Sequence, residues 1–278
     1  MDDALVENRI LADSINNLNS TAHVDTLLSK QTLRALHKAA EYGSPEALTL
    51  LGYFYERGIG GVRRDIFQAS LEYLRATRFE SPWAPLMLWD LTRNENYYSM
   101  LKERMLANDP EALFLWAELE AYGFDRQLSE NQSLDFLKQS AAMNCAEAMV
   151  ELALHFYNGN GVSADREKAT GLLSQAKEFD NREAAVRLCG MQVMSGRQTT
   201  ESENVFKALT AAADSGSVLA EAMLGYCYRN GKGVSKSVPL AVELYRKAAQ
   251  RGSKIAYDAL KELYDEIRPK EREFRISD

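Results

Sequence analysis

The stretch Ala220-Glu221-Ala222-Met223-Leu224-Gly225-Tyr226-Cys227-Tyr228-Arg229-Asn230-Gly231-Lys232-Gly233-Val234 decides the fold. An alanine is followed five residues later by a small residue, then by an aromatic residue, then by two glycines and a valine. Ala47 to Val62 repeats this with Gly52, Tyr55, Gly58 and Gly60, and Ala148 to Val162 repeats it with Ala153, Phe156, Gly159 and Gly161. Looser copies begin at Ala112 (Ala117, Gly123) and Ala185 (Gly190, Gly196), and degenerate ones at Ala84 and Ala256. The starts are separated by 37, 28, 36, 37, 35 and 36 residues. A fixed period in this range is the signature of a stacked array of small structural units.

The residues flanking the pattern obey the same register. Pro45, Pro82 and Pro110 fall at one equivalent position, and proline suits the first position of a helix because its missing N–H has no partner there. Before them stand Ser44, Ser81 and Asp109, with Ser217 and Ser253 as equivalents, all side chains that cap helix N-termini. One step further back lie Gly43, Asn108, Asn144, Asn181, Gly216 and Gly252, which tolerate a left-handed backbone at the end of the preceding helix. Leu224 and Tyr228, then Leu240, Leu244, Tyr245, Ala248 and Ala249, recur at helical intervals. Each unit therefore reads as two antiparallel helices, A and B. Between them Gly231-Lys232-Gly233-Val234 and its equivalents form a loop whose valine plugs the gap. A small residue at the helix A midpoint (Gly52, Ala117, Ala153, Gly190 or Gly225) admits helix B closely, and Tyr55, Phe156 and Tyr228 pack over that contact.

Composition agrees with a folded array. Of 278 residues, 46% are hydrophobic, which excludes disorder over most of the chain. With 33 Lys and Arg against 40 Asp and Glu, the formal charge is −7, and no nucleic-acid partner is expected because such binding rests on cationic neutralisation. The start Met1-Asp2-Asp3 lacks a cationic segment followed by an apolar one, and no apolar run approaches the roughly 20 residues of a membrane helix. No membrane association is expected, and the chain reads as cytoplasmic. Cys145, Cys189 and Cys227 form no C-x-x-C pair, which fits a reducing compartment and packing roles.

Chemistry-bearing motifs are missing. Gly225 to Lys232 has five residues rather than four between its glycines, and Gly233 stands where a phosphate-binding loop needs Ser or Thr. His23, His37 and His155 share no helix turn, so no metal site is expected, although His155 falls near helix A's exposed side. Glu118 and Glu120 are two apart on a helix and point to different faces, which does not support paired acid/base work. No cofactor is expected.

These motifs resemble the Sel1-like repeat family, relatives of tetratricopeptide repeats with a longer loop between the helices. The core A-x-x-x-L-G-x-x-Y-x-x-G-x-G-V is present from Ala220 to Val234, and the ending K-A-A-x-x-G is present at Lys247 to Gly252 and at Lys38 to Gly43. The second of these endings implies a helix B ahead of the first full unit. The likeness spans residues 31–267, loosely at Ala112 and Ala185. It departs most at Ala84, where Trp89 replaces the small residue and about eight residues are missing around Asn94-Glu95-Asn96, so a local irregularity is expected. The resemblance implies an all-α, right-handed solenoid of about six to seven units, with helix A starting near 46, 83, 111, 147, 184, 219 and 255. Residues 1–30 would form an N-terminal helical cap and residues 268–278 a charged tail. Such a stack touches only its neighbours and builds an extended curved surface.

What the resemblance implies for function is a non-catalytic scaffold or adaptor that holds a protein or extended peptide on the concave helix A face. An immunity or inhibitor protein against a toxic bacterial effector and a regulator of a signalling enzyme are the other roles it admits. Cysteine-rich members linked to β-lactam chemistry carry a disulfide in each unit, a framework this chain lacks. By analogy with tetratricopeptide repeats, the partner-facing positions are Tyr53, Glu56 and Arg57; Asp90 and Arg93; Glu118, Ala121 and Tyr122; Leu154, Tyr157 and Asn158; Met191 and Met194; and Tyr226, Arg229 and Asn230. Phe114, Val150 and Arg187 join them from one turn earlier. Tyr, Met and Arg are residue types enriched at interface hot spots or able to adapt to varied partners. A second candidate surface is the basic stretch from Arg229 to Lys254, whose Arg229, Lys232, Lys236, Arg246, Lys247, Arg251 and Lys254 face Glu243 alone, against a mainly acidic stretch from Glu103 to Asp135. Oligomeric state is left open.

Overall fold

A computed structural model describes residues 30–124, 129–195 and 202–267. The expected N-terminal cap (except for residue 30) and charged tail lie outside the described residues. Among those described, the chain forms α-helices and no strand: α1 (Lys30–Glu41), α2 (Pro45–Arg57), α3 (Ile66–Arg78), α4 (Ala84–Thr92), α5 (Tyr97–Leu106), α6 (Pro110–Ala121), α7 (Glu130–Ala142), α8 (Ala146–Asn158), α9 (Arg166–Glu178), α10 (Arg182–Met194), α11 (Ser202–Asp214), α12 (Val218–Asn230), α13 (Val238–Gln250) and α14 (Lys254–Ile267). The even-numbered helices are helices A. Six A/B pairs run from α2/α3 to α12/α13, with α1 a lone helix B and α14 a lone helix A.

Local chemistry sets the boundaries. The side chains of Ser44, Ser217 and Ser253 accept from the backbone N–H three residues on, at Ala47, Ala220 and Ala256. Ser81 accepts likewise from Ala84, yet α4 begins only at Ala84 with Trp83 before it, so Pro82 stands outside the helix rather than at its first position. Gly58, Gly159 and Gly231 end α2, α8 and α12 in the left-handed conformation with φ of 69°, 77° and 68°, which releases the chain into the A-to-B loop.

The fifth unit corrects the sequence register by one residue. Asp180 (φ 60°), not Asn181, takes the left-handed position, and Asn181 is the N-cap, its Oδ1 accepting from Ala184 N at 2.8 Å. Ala184, fully buried, is therefore the repeat alanine. The last four spacings become 36, 36, 36 and 36. The small midpoint residue moves to Cys189. Gly190 instead faces α12, where a Cβ would lie 3.0 Å from the Met223 sulfur. The true A/B contacts are at Gly52 and Gly225, where a Cβ would fall 2.5 Å from the Tyr73 ring and 2.7 Å from the Tyr245 ring.

The short unit is irregular as its length suggests. Helices α4 and α5 span 9 and 10 residues and pack weakly on each other. Trp89 cannot fit at an A/B contact and turns outward, 44% exposed, while α3 reaches past the unit to touch α6.

The units do not touch only their neighbours. The turns joining helix B to the next helix A draw together across the interior. Arg251, at the end of α13, bonds Ser44 and Glu46 at the start of α2, 205 positions away from Glu46, and also the Gly216 carbonyl. Lys254 N donates to Glu80, and the Arg182 guanidinium lies 6.0 Å from the Tyr42 ring. Glycine makes this approach possible, since a Cβ at Gly252 (φ 104°) would fall 2.5 Å from the Glu80 carbonyl oxygen. The solenoid is wound tightly enough that its last units close against its first.

Candidate protein-interaction face

Helix A buries one side against its own helix B and its neighbours and turns the other toward the interior of the superhelix. Where the turns converge, that interior is filled by charge. Four helices A carry glutamate as their second residue: Glu46, Glu111, Glu147 and Glu183. A carboxylate there is favoured by the unsatisfied N–H groups of the first turn. Basic residues in the last turn of α3 and just past α13 answer three of them, Glu46, Glu147 and Glu183. Arg78 pairs with Glu147 and Glu183 and approaches Glu151 at 3.6 Å, Arg75 meets Glu72 at 3.2 Å and Glu147 at 3.4 Å, and Arg187 meets Glu183 at 2.7 Å. Arg251 joins Glu46 at 2.8 Å to Glu221 at 3.0 Å. Burial alone would raise the Glu46 and Glu147 carboxyls. Arg251 beside the first, and Arg75 and Arg78 beside the second, outweigh it and hold both below the ordinary carboxylate value.

The Glu111 carboxyl is raised instead, by burial first and Asp109 second, and that of Glu118 more strongly so. Glu118 is 3% exposed, and burial first and the neighbouring Glu151 second push its carboxyl well above the ordinary value against the pull of Arg78.

The expected partner-facing residues divide accordingly. Phe114 and Val150 are core residues, 1% and 0% exposed, and Glu118 is buried, so none of the three offers an open surface. The inner side of helix A near the converging turns is closed by neighbouring helices, which a straight stack would have left open. Arg187 is half-buried and held by Glu183. Toward the other end of helix A the face opens. Tyr53 is half-buried with the Arg57 guanidinium 5.7 Å from its ring, and Tyr157 is half-buried with Arg166 at 5.5 Å. Tyr122 is 40% exposed, its ring 6.5 Å from Phe124, which in turn lies 6.2 Å from Trp89. Asp90 and Arg57 are exposed, Met191 and Tyr226 half-buried, and Met194 50% exposed. With the corrected register, Met194 takes the position of Arg57 and Tyr122, whereas Met191 and Arg187 are each offset by one. Arg229 pairs with Glu262 at 3.0 Å. The His155 Nδ1–H is taken by the Asn160 carbonyl at 2.7 Å.

The basic stretch is largely neutralised within the fold. Besides Arg229, Lys247 pairs with Glu221, Arg251 with Glu46 and Glu221, and Lys254 with Asp258, while Arg246 donates to the Tyr264 hydroxyl. A linear count of charges missed acids contributed by α2, α12 and α14. Among the described residues no group of three His, Cys, Asp or Glu side chains is placed to hold a metal ion, and no helix is long and apolar enough to cross a membrane. Sequence reasoning also missed the network itself, although Glu111, Glu147 and Glu183 recur at the repeat period and signal it.

A family model described as the Sel1 repeat matches residues 45–76, 110–145, 146–178 and 218–253. Among solved structures, the crystal structure of c5321, a protective antigen of uropathogenic Escherichia coli strains with an SLR fold, superposes with a TM-score of 0.51 at 24% identity. The match covers 84% of this chain and 51% of that one, so the chain spans about half the length of that relative. A Sel1 repeat protein from Oxalobacter formigenes matches at 17% identity and a TM-score of 0.46, covering 95% of this chain and 88% of that one. The unmatched 77–109 holds the short unit with its displaced Trp89, and the stretch 179–217 contains the unit with Cys189 at its midpoint and Gly190 facing α12. With four units matched by the family model, the chain belongs to the Sel1 repeat family.

Proposed function

We propose that this chain is a non-catalytic scaffold that binds a protein or extended peptide along the open half of its helix A face. Sel1 repeats generally mediate protein–protein interactions. The observation that carries the finer reading is the set of partly exposed tyrosine and methionine side chains, Tyr53, Tyr122, Tyr157, Met191, Met194 and Tyr226, on or just past α2, α6, α8, α10 and α12, beside a charge network that holds helices A in fixed relation. Large, stiff aromatic side chains give contact area at low entropic cost, and a rigid frame spares the partner the cost of ordering it.

Affinity capture from native lysate tests this by comparing wild type with a folded Tyr122→Ala, Tyr157→Ala, Tyr226→Ala variant. A protein retained by wild type and lost from the variant is expected. Equal retention by both would move the binding surface off this face.

A further inference from the structure

The interior charge network does not balance. It gathers five carboxylates, Glu72, Glu118, Glu147, Glu151 and Glu183, against the guanidiniums of Arg75, Arg78 and Arg187. The arginines are committed to Glu72, Glu147 and Glu183 at hydrogen-bonding or close ion-pair distance. Glu151 receives only the 3.6 Å approach of Arg78, and its buried Oε2 has no hydrogen bond. Glu118, 3% exposed, feels both Glu151 and Arg78, and its carboxyl forms no ion pair among the described residues. Burial and the neighbouring Glu151 make the charged form of Glu118 costly, so this pair gains from a cation supplied from outside.

The way in is aromatic. Tyr122, the residue that ends α6, lies four positions after Glu118, and Glu151, Glu118 and Arg78 all act on its hydroxyl. From Tyr122 the ring series runs through Phe124 to Trp89, and the exposed side of α4 continues it with Leu86 (62% exposed) and Trp83 (50%). An aromatic ring beside uncompensated carboxylates recognises a cation on an apolar stem, and an apolar shelf next to it takes the flanking residues of the same segment.

We propose that an arginine or lysine side chain of a partner polypeptide inserts beside Tyr122 to pair with Glu118 and Glu151, while apolar residues next to it lie on Trp89, Leu86 and Trp83. This names the partner chemistry for the helix A face and rests on that face being the binding surface. Complementary charge and shape select the occupant: an acidic segment brings no cation to Glu151 and the buried Glu118 carboxyl and is disfavoured.

A random dodecapeptide library on phage, panned against the purified full chain, tests it. Selected peptides are then synthesised and titrated against wild type, Glu118→Gln, Tyr122→Ala, Tyr157→Ala, Tyr226→Ala and, as an outer control, Glu103→Gln, each checked for folding by circular dichroism. The proposal expects a shared Arg or Lys flanked by apolar residues. It expects affinity to fall at least about tenfold in Glu118→Gln, or when the basic residue is replaced by uncharged citrulline or norleucine, with Glu103→Gln unchanged. Peptides lacking a basic residue that respond to Tyr157→Ala or Tyr226→Ala but not to Glu118→Gln overturn the pocket and leave the helix A face standing. Peptides indifferent to all three tyrosine substitutions overturn both readings, and no enrichment over uncoated beads overturns the pocket.

Discussion

Gly225 has no room for a side chain, because a Cβ would meet the Tyr245 ring of α13 at 2.7 Å, and that ring is itself fully packed at 2% exposure. Gly225→Ala is expected to cost about 1–3 kcal/mol in urea unfolding. Gly190→Ala meets only the flexible Met223 side chain at 3.0 Å and is expected to cost less. Equal losses would contradict the corrected register. This was the point where the sequence misled: two neighbouring alanines, Ala184 and Ala185, both fit the motif, and a glycine at 190 selected the wrong one. Only the cap of Asn181 on Ala184 resolves the choice. Charges were less legible than packing. Glu118 was readable as an acid on helix A but not as buried, since its burial depends on α8 and on Arg78 from α3. Its carboxyl sits above the ordinary value by burial and by Glu151, so the folded state binds its proton more tightly than the unfolded one. Wild type therefore loses stability as pH rises from near 4.3, the unfolded value, through the folded value. Glu118→Gln is expected to melt at a higher temperature than wild type at pH 7, with the difference shrinking toward pH 4. A lower melting temperature at pH 7 would show that the site is occupied by a compensating charge.

At the scale of elements, helix starts were the most legible feature because caps are local chemistry. Ser44, Ser217 and Ser253 act as their type predicts. Ser217→Ala should cost about 0.5–2 kcal/mol, measured by thermal or denaturant unfolding. Asn181→Ala should cost more, because Asn181 Nδ2 also donates to Glu147 at 3.0 Å and ties the cap of α10 to the interior network. If the two variants lose the same stability, that second bond contributes nothing. The short unit was recognisable from its 28-residue spacing and from Trp89. Its consequence, an exposed aromatic shelf on α4 beside Tyr122, was not, because the partner rings come from another unit.

For the whole molecule, the helix-pair solenoid followed from periodicity, while its closure did not. Repeat patterns encode contacts between neighbouring units, and the Arg251 contact with Glu46 joins units at opposite ends of the array. Arg251→Met would leave Glu46 without its cation and Glu221 with Lys247 alone. Breaking a buried pair in this way costs about 3–5 kcal/mol. The variant is expected to unfold at lower urea and to show a larger radius of gyration by small-angle scattering; an unchanged radius would mean that packing alone closes the superhelix. Acid acts in the same direction, since carboxyls held low by arginine stabilise the fold above their unfolded value and lose that stabilisation as pH falls through the folded one, the reverse of Glu118.

The most direct test of the account is site-specific photo-crosslinking in native cells, with p-benzoylphenylalanine placed singly at Tyr122, Tyr157 and Tyr226 on helices A, and at Lys138 and Lys177 on the exposed sides of helices B. The account predicts adducts of one shared mass from the three helix A positions and none from the two helix B positions. Adducts from Lys138 or Lys177 alone would place the partner on the outer surface and contradict it.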